Sequence, residues 1–293
     1  MSGGDDLESD DEYLNQNWHD NEEVEVELDV STNNTSDDKK RSISDMENDP
    51  NSAGTNNSND EEIVTSKKKQ KTKTPKGLLL EVGRGIADSG PEEQAFFLWT
   101  AFTHALKLKG EEIDVEKFTA NQFVQPKTID TNSKYQKSMA KYLKSGVLPS
   151  MKRLKKWKVE KSPMVIIVCV SALRAVEILK EISSLNLRVA KLFAKHMNID
   201  DQVNMLSKNS YGIAVGTPNR LLKLLQLPSI EGDEGDGALS LDYTELIVID
   251  NYEDKKKFTV CTMNDTAPDM MAFIKEGVVE QMKKRKSIKF GMF

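Results

Sequence analysis

Between Met164 and Asp250 the chain repeats one pattern: a short apolar run, a polar break, then an amphipathic stretch. Met164-Val165-Ile166-Ile167-Val168-Cys169-Val170 is apolar without alternation, as a strand covered on both faces requires. Arg188 to Phe193, Gly212 to Val215 and Leu246 to Asp250 give three further strands. Helices are expected over about Ala172 to Ser183, capped by Ser171, over about Asp200 to Lys208, and over about Pro218 to Leu227. Strands alternating with helices predict an α/β fold with a parallel sheet and right-handed crossovers.

One junction in this pattern carries chemistry. Tyr211-Gly212-Ile213-Ala214-Val215-Gly216-Thr217-Pro218-Asn219-Arg220 compresses a strand, a tight turn and a helix start into ten residues. Thr217 suits the N-cap and Pro218 the first helical position. A helix N-terminus offers unpaired N–H groups and a partial positive charge, and Arg220 adds a guanidinium in the first turn. Such a turn suits phosphate, and a nucleic-acid backbone is a row of phosphates. An ordinary strand-to-helix junction has the same signature.

Charge sorts the chain into two parts. Residues 1–66 carry 20 Asp and Glu against Lys39, Lys40 and Arg41, a net of −17, while the remainder carries +11. The acidic segment has too few apolar residues to offset chain entropy, so a disordered tail is expected. The basic remainder favours anionic partners such as nucleic acid. At the boundary, Lys67, Lys68, Lys69, Lys71, Lys73 and Lys76 fall within ten residues and read as a nuclear localisation signal. The domain organisation expected is a tail over 1–76, a helical part over 77–160 and an α/β core over 161–293.

Other features narrow the function classes. Cys169 and Cys261 are isolated, so neither a disulfide framework nor a zinc site is expected. No apolar run is long enough to cross a membrane. Gly83-Arg84-Gly85-Ile86-Ala87-Asp88 begins like a dinucleotide fingerprint, but Asp88 stands at the third glycine, and the stretch reads as a linker. A helix should start at Gly90-Pro91-Glu92-Glu93 and stop at Gly110, with His104 packed among its aromatics. A second should run from about Thr131 to Ser145. Lys152 to Lys161 is a basic cluster around Trp157, suited to single-stranded RNA or to a basic surface helix that Trp157 anchors. The final helix, about Pro268 to Lys284, precedes a tail, Ile288 to Phe293.

Val215-Gly216-Thr217-Pro218-Asn219-Arg220 resembles the Val-Gly-Thr-Pro-Gly-Arg element with which DEAD-box helicases grip RNA, with Asn219 in place of Gly. Asn tolerates left-handed backbone angles, so that turn is expected to survive. Gln202 resembles a glutamine of a neighbouring helicase element. The resemblance implies a single RecA-like parallel sheet. It departs where catalysis would sit. The chain has no Gly-x-x-x-x-Gly-Lys-Ser/Thr loop, and Asn251 stands at the place of the water-activating Glu. The chain is more closely similar to the Cms-one ribosomal small subunit homologue family, subunits of the U-three-containing pre-ribosome. That likeness rests on Lys161-Ser162-Pro163, Ser171-Ala172-Leu173-Arg174-Ala175, Lys191 to His196, Asp254-Lys255-Lys256-Lys257 and Lys289-Phe290-Gly291-Met292-Phe293.

The resemblance implies a non-catalytic, nuclear and nucleolar factor whose partners are pre-ribosomal RNA and pre-ribosomal proteins. No cofactor, metal or small-molecule substrate is expected. Thr217, Arg220 and Arg174 are the candidate phosphate contacts, with Lys255, Lys256 and Lys257 extending the surface. Rival readings are a protein-interaction scaffold, a nuclear role on DNA, and a divergent ATP-driven helicase. Changing the six lysines from Lys67 to Lys76 to Ser is expected to move a fluorescent fusion from nucleus to cytoplasm. A fusion that stays nuclear transfers the signal to Lys283 to Lys286.

Overall fold

The computed structural model describes residues 75–109, 115–127, 138–194, 197–228, 237–284 and 287–293. The acidic segment, Lys67, Lys68, Lys69, Lys71 and Lys73, the expected helix start at Thr131, and residues 229–236 lie outside them. Lys76 falls in the first described helix, α1, Pro75–Gly83. A 3-10 turn, Ile86–Asp88, leads to α2, Pro91–Ala105. α2 ends four residues short of its predicted end because Lys107 takes a left-handed backbone, φ 54, and closes the helix. His104 is exposed in its last turn rather than packed. Next come α3, Met139–Tyr142, which widens into a π-turn ending at Val147, and α4, Met151–Lys155.

The α/β part follows the predicted order closely. It contains β1, Val165–Val168; α5, Ala172–Ile182; β2, Val189–Leu192; α6, Ile199–Lys208; β3, Ile213–Gly216; α7, Pro218–Gln226; and β4, Leu246–Ile249. Ser171 caps α5 as expected, its Oγ accepting from the Arg174 N–H at 3.2 Å. The last helix is one run with a π segment inside it: α8, Ala267–Phe273, then Ile274–Val279, then α9, Glu280–Lys283. The final segment, expected to be a tail, is a fifth strand, β5, Lys289–Met292.

All five strands are parallel, in the order β2-β3-β1-β4-β5. Strand parity sorts the core into two layers. Val165 and Ile167 face α5 and the residues of α3, while Ile166 and Val168 face α2, α6, α7 and α8. The helical residues before β1 therefore share a core with the sheet. Trp99 and Phe102 of α2 reach β5 through Phe118, whose ring lies 5.5 Å from Phe290. At the other side, an antiparallel bridge joins Pro228 to Gly237, and the Ala238 N–H donates to the Leu227 carbonyl at 2.7 Å.

Gly216 ends β3 where backbone and helix close in. A Cβ there would stand 2.7 Å from the Leu192 carbonyl and 2.8 Å from Leu221 Cδ2. The backbone oxygen cannot move without breaking its bond from the Thr217 N–H. Gly216→Ala is expected to lower stability by about 2 kcal/mol, read by urea unfolding. An unchanged midpoint would mean that β2 and β3 can spread.

Candidate functional site

The strands end where their connections part. β1 leads to α5 on one face of the sheet, and β4 leads towards α8 on the other. Ligands of open α/β sheets enter such a crevice at the carboxyl ends of the strands. Here the crevice is a cleft of about 280 Å³, lined on one side by Arg174, Asp250, Asn251, Tyr252 and Glu253. Its other wall is the turn around Gly83, Gly85 and Ile86, the stretch expected to be a linker. Buried Gln94 holds that turn, its Nε2 donating to the Ile86 carbonyl at 3.1 Å and to the Ser89 carbonyl at 3.2 Å. Nothing in the sequence brings Gly83 to Asp250 except the apolar periodicity that docks α2 onto the sheet.

Arg174 sits in the first turn of α5 and reaches across β1 to the end of β4. Its Nε donates to Asp250 Oδ2 at 2.8 Å and its Nη2 to Oδ1 at 3.2 Å. Nη1 donates to Glu177 at 2.9 Å and lies 3.5 Å from Glu181. The guanidinium also stacks over Tyr252, 4.9 Å from the ring centre. Side-chain exposure is 13% for Arg174 and 1% for Asp250. Burial pulls the guanidinium down, but its bonds to Asp250 more than offset this and leave it above its ordinary value. Burial pushes the Asp250 carboxyl up, and Arg174 opposes the push. One positive charge thus faces three carboxylates. Arg174 was expected to meet phosphate; the structure gives it protein carboxylates instead.

Arg220 is engaged in a similar way. Its Nη1 donates to Gln202 Oε1 at 2.9 Å and to the Met197 carbonyl at 3.5 Å, and burial lowers its pKa. Gln202 is fully buried and donates from Nε2 to the Lys191 and Phe193 carbonyls, at 2.8 and 3.0 Å. This clamp ties α6 and α7 to the end of β2. Thr217 takes the N-cap position, yet its side chain makes no capping bond, and its N–H donates to the Leu192 carbonyl at 3.1 Å. Asn219 does not adopt the left-handed angle that its likeness to glycine implied. It lies within the first turn of α7, where its Nδ2 donates to Asp269 at 2.9 Å. A carboxylate therefore flanks the turn expected to hold phosphate.

Lys255, Lys256 and Lys257 lie together on the loop after β4. Asp254 shapes that loop, its Oδ1 accepting from the Lys256 and Phe258 N–H groups at 2.8 and 2.7 Å. All three lysines are exposed, and Lys257 pairs with Glu253 at 3.0 Å. Asn251 bonds the Ile249 carbonyl through Nδ2 at 3.2 Å, and its Oδ1 has no partner among the described residues. No group of His, Cys, Asp and Glu among the described residues is arranged to hold a metal, and none of their helices is long and apolar enough to cross a membrane. Cys169 and Cys261 are both buried and unpaired with each other; burial pushes the Cys261 thiol up to about 12.

The family profile described as CMS1, U3-containing 90S pre-ribosomal complex subunit, matches residues 103–291, well over half of the chain. The chain belongs to the CMS1 family. Protein CMSS1 of Danio rerio is 32% identical over 160 residues, covering 53% of this chain and 51% of its own. Protein cms1 of Schizosaccharomyces pombe is 26% identical over 170 residues, covering 56% and 54%. Protein CMS1 of Chaetomium thermophilum is 38% identical over 109 residues, covering 36% and 40%. The matches to the zebrafish and fission yeast relatives each span about half of the relative's length. The CMS1 profile covers β1 to β4, β5 as far as Gly291, the Arg174 and Asp250–Glu253 side of the cleft, and both arginine clamps, and its description is that of a pre-ribosomal complex subunit.

Arg174→Ala leaves Asp250 buried without a cation, and the variant is expected to lose about 3–5 kcal/mol at pH 7. Without Arg174, burial holds the folded carboxyl's pKa above its unfolded value of about 3.9. With Arg174's opposition gone, the folded variant takes up this proton more readily than the folded parent, so the deficit should shrink as pH falls towards about 4. Urea unfolding at several pH values reads both effects. A loss under about 1 kcal/mol with no pH dependence would mean that the pair does not hold the sheet end.

Proposed function

We propose that the chain is a non-catalytic, RNA-associated subunit of the small-subunit pre-ribosome, acting in the nucleolus. The observation that carries this reading is the Arg174–Asp250 pair in the carboxyl-end crevice. A nucleotide-hydrolysing relative would need that carboxylate for its own chemistry, and here a guanidinium holds both of its oxygens. The turn after β1, Cys169-Val170-Ser171, is too short for a phosphate cradle: the Cys169 N–H donates to the Gly216 carbonyl at 2.9 Å, and Ser171 Oγ is taken up by the Arg174 N–H. A RecA-like origin of the core belongs to the same proposal, supported by the strand, turn and helix at Val215 to Arg220. Of the residues expected to touch RNA, Lys255 and Lys256 are exposed on their loop, while Arg174 and Arg220 act as clamps that position helices.

A protein-scaffold reading also draws on one observation. Leu173 is 67% exposed and Tyr252 49% exposed, beside the carboxylates of Glu177 and Glu253. An apolar and acidic patch of this kind suits a basic protein segment.

Two measurements decide between these. The full-length chain should release no phosphate from ATP above buffer, with or without RNA; RNA-stimulated release would overturn the non-catalytic reading. Ultraviolet crosslinking in cells should recover small-subunit precursor rRNA. Recovery of pre-ribosomal proteins without any crosslinked RNA would favour the scaffold.

A further inference from the structure

The opposite end of the sheet gathers a second set of charges. α4 lies against the amino ends of the strands, capped by Ser150, whose Oγ accepts from the Arg153 N–H at 3.3 Å. Leu154 is its buried residue, and the fit is tight. A Cβ at Gly212 would stand 2.8 Å from the Leu154 carbonyl. Trp157 anchors the segment that follows, its Nε1 donating to the Ser162 carbonyl at 3.1 Å. Lys161, in a left-handed conformation with φ 58, donates its N–H to the Leu206 carbonyl at 3.1 Å and accepts from the Ser240 N–H at 2.9 Å. A bridge pairs Glu160 with Ser210. The segment from Lys152 to Lys161 is thus fixed beside the end of α6 and the starts of β3 and β4.

That placement gathers charge that is scattered in sequence. Arg153 is spent on Glu245, with Nη1 3.2 Å from Oε2 and a second bond from Nη2 to Oε1. Lys152, Lys155, Lys156 and Lys158 are all exposed, and no carboxylate of the described residues forms an ion pair with them. Lys208 ends α6 next to Ser210, so it joins the same face. Arg188 enters β2 alongside, donating to Asn209 Oδ1 at 3.2 Å with its guanidinium 5.8 Å over the Tyr211 ring. Tyr243, 60% exposed, donates its N–H at 2.9 Å to Oγ of Ser162, the residue whose carbonyl accepts from Trp157. Among the described residues, Glu160 and Asp242 stand at the rim, beside the Glu245 that Arg153 holds.

We propose that this amino-end face, and not the carboxyl-end crevice, is the surface that holds single-stranded RNA. The inference rests on the RNA-associated reading above and names its site. Four neighbouring strands, β2-β3-β1-β4, start along the face, a width of about 14 Å between their axes. Lysines there neutralise phosphates, and the exposed aromatic among them supplies what a purely anionic partner would not require, a face on which a base stacks. An acidic protein would use the lysines and leave Tyr243 idle. Phosphate neutralisation and stacking do not distinguish one base from another, so binding is expected to be indifferent to sequence.

The test is fluorescence anisotropy of the full-length chain with a labelled polyuridine strand, across a series of salt concentrations, with heparin as a polyanion without bases. The triple change Lys155→Gln, Lys156→Gln, Lys158→Gln should weaken RNA binding at least about tenfold and flatten the salt slope by about 2, at roughly 0.7 per lost contact. These side chains are exposed, so the variant should fold, and circular dichroism checks that it does. Tyr243→Ala should weaken RNA binding and leave heparin binding unchanged. The pair Lys255→Gln, Lys256→Gln tests the loop after β4 as the rival site and should cost less affinity than the triple change. RNA binding that survives the triple change, or is lost instead with Lys255 and Lys256, overturns this site and leaves the RNA reading intact. Equal losses for heparin and RNA with Tyr243→Ala silent would make the partner an acidic protein. A parent chain that binds no RNA at low salt overturns the site and the reading together.

Discussion

Asp250 ends a strand with no solvent on either face, and a carboxylate in that position needs a fixed cation. Arg174 supplies it from the first turn of α5. The pair joins the beginning of one crossover to the end of another strand, so the helix that follows β1 and the loop that follows β4 are set by one interaction. The stacking of Tyr252 beneath the guanidinium continues the same constraint into the loop that bears Lys255 to Lys257. The Gln202–Arg220 clamp does the equivalent service for α6 and α7 with neutral acceptors. In both clamps the guanidinium is bonded from within the fold.

Much of this architecture is legible in the sequence because it depends on local patterning. β1 and β4 are runs of β-branched and aliphatic residues bounded by polar breaks, β2 and β3 are shorter apolar runs that include Lys191 and Gly216, and the helix starts at Ser171 and Pro218 follow local preferences that act over three or four residues. β5 was opaque for a definite reason. Lys289-Phe290-Gly291-Met292 has one large aliphatic residue, one aromatic and a glycine, and it becomes a strand only because β4 offers an open edge and Phe118 and Phe123 receive Phe290. The turn at Gly83 to Asp88 was opaque likewise, since its place in the cleft comes from the docking of α2.

The candidate site shows the limit more sharply. Arg174 and Arg220 are correctly located on their helices by sequence, in the first turns after Ser171 and Thr217. What sequence does not carry is the direction of a long side chain with several rotatable bonds. A guanidinium near a helix start can meet a bound phosphate or a carboxylate of its own fold, and the tertiary placement of Asp250 and Gln202 decides the matter. Asn219 illustrates the same point with a shorter side chain: its partner, Asp269, is fifty residues away.

The bridge between Pro228 and Gly237 has a bearing on how the chain can change over time. It fastens the two ends of the intervening stretch to each other and to the end of α7, so the core does not register how many residues lie between them. Doubling the length enclosed by such a clasp costs only about 0.6 kcal/mol of closure entropy. This hairpin base is therefore a port at which a lineage can lengthen, shorten or replace a segment while the five strands behind it stay as they are.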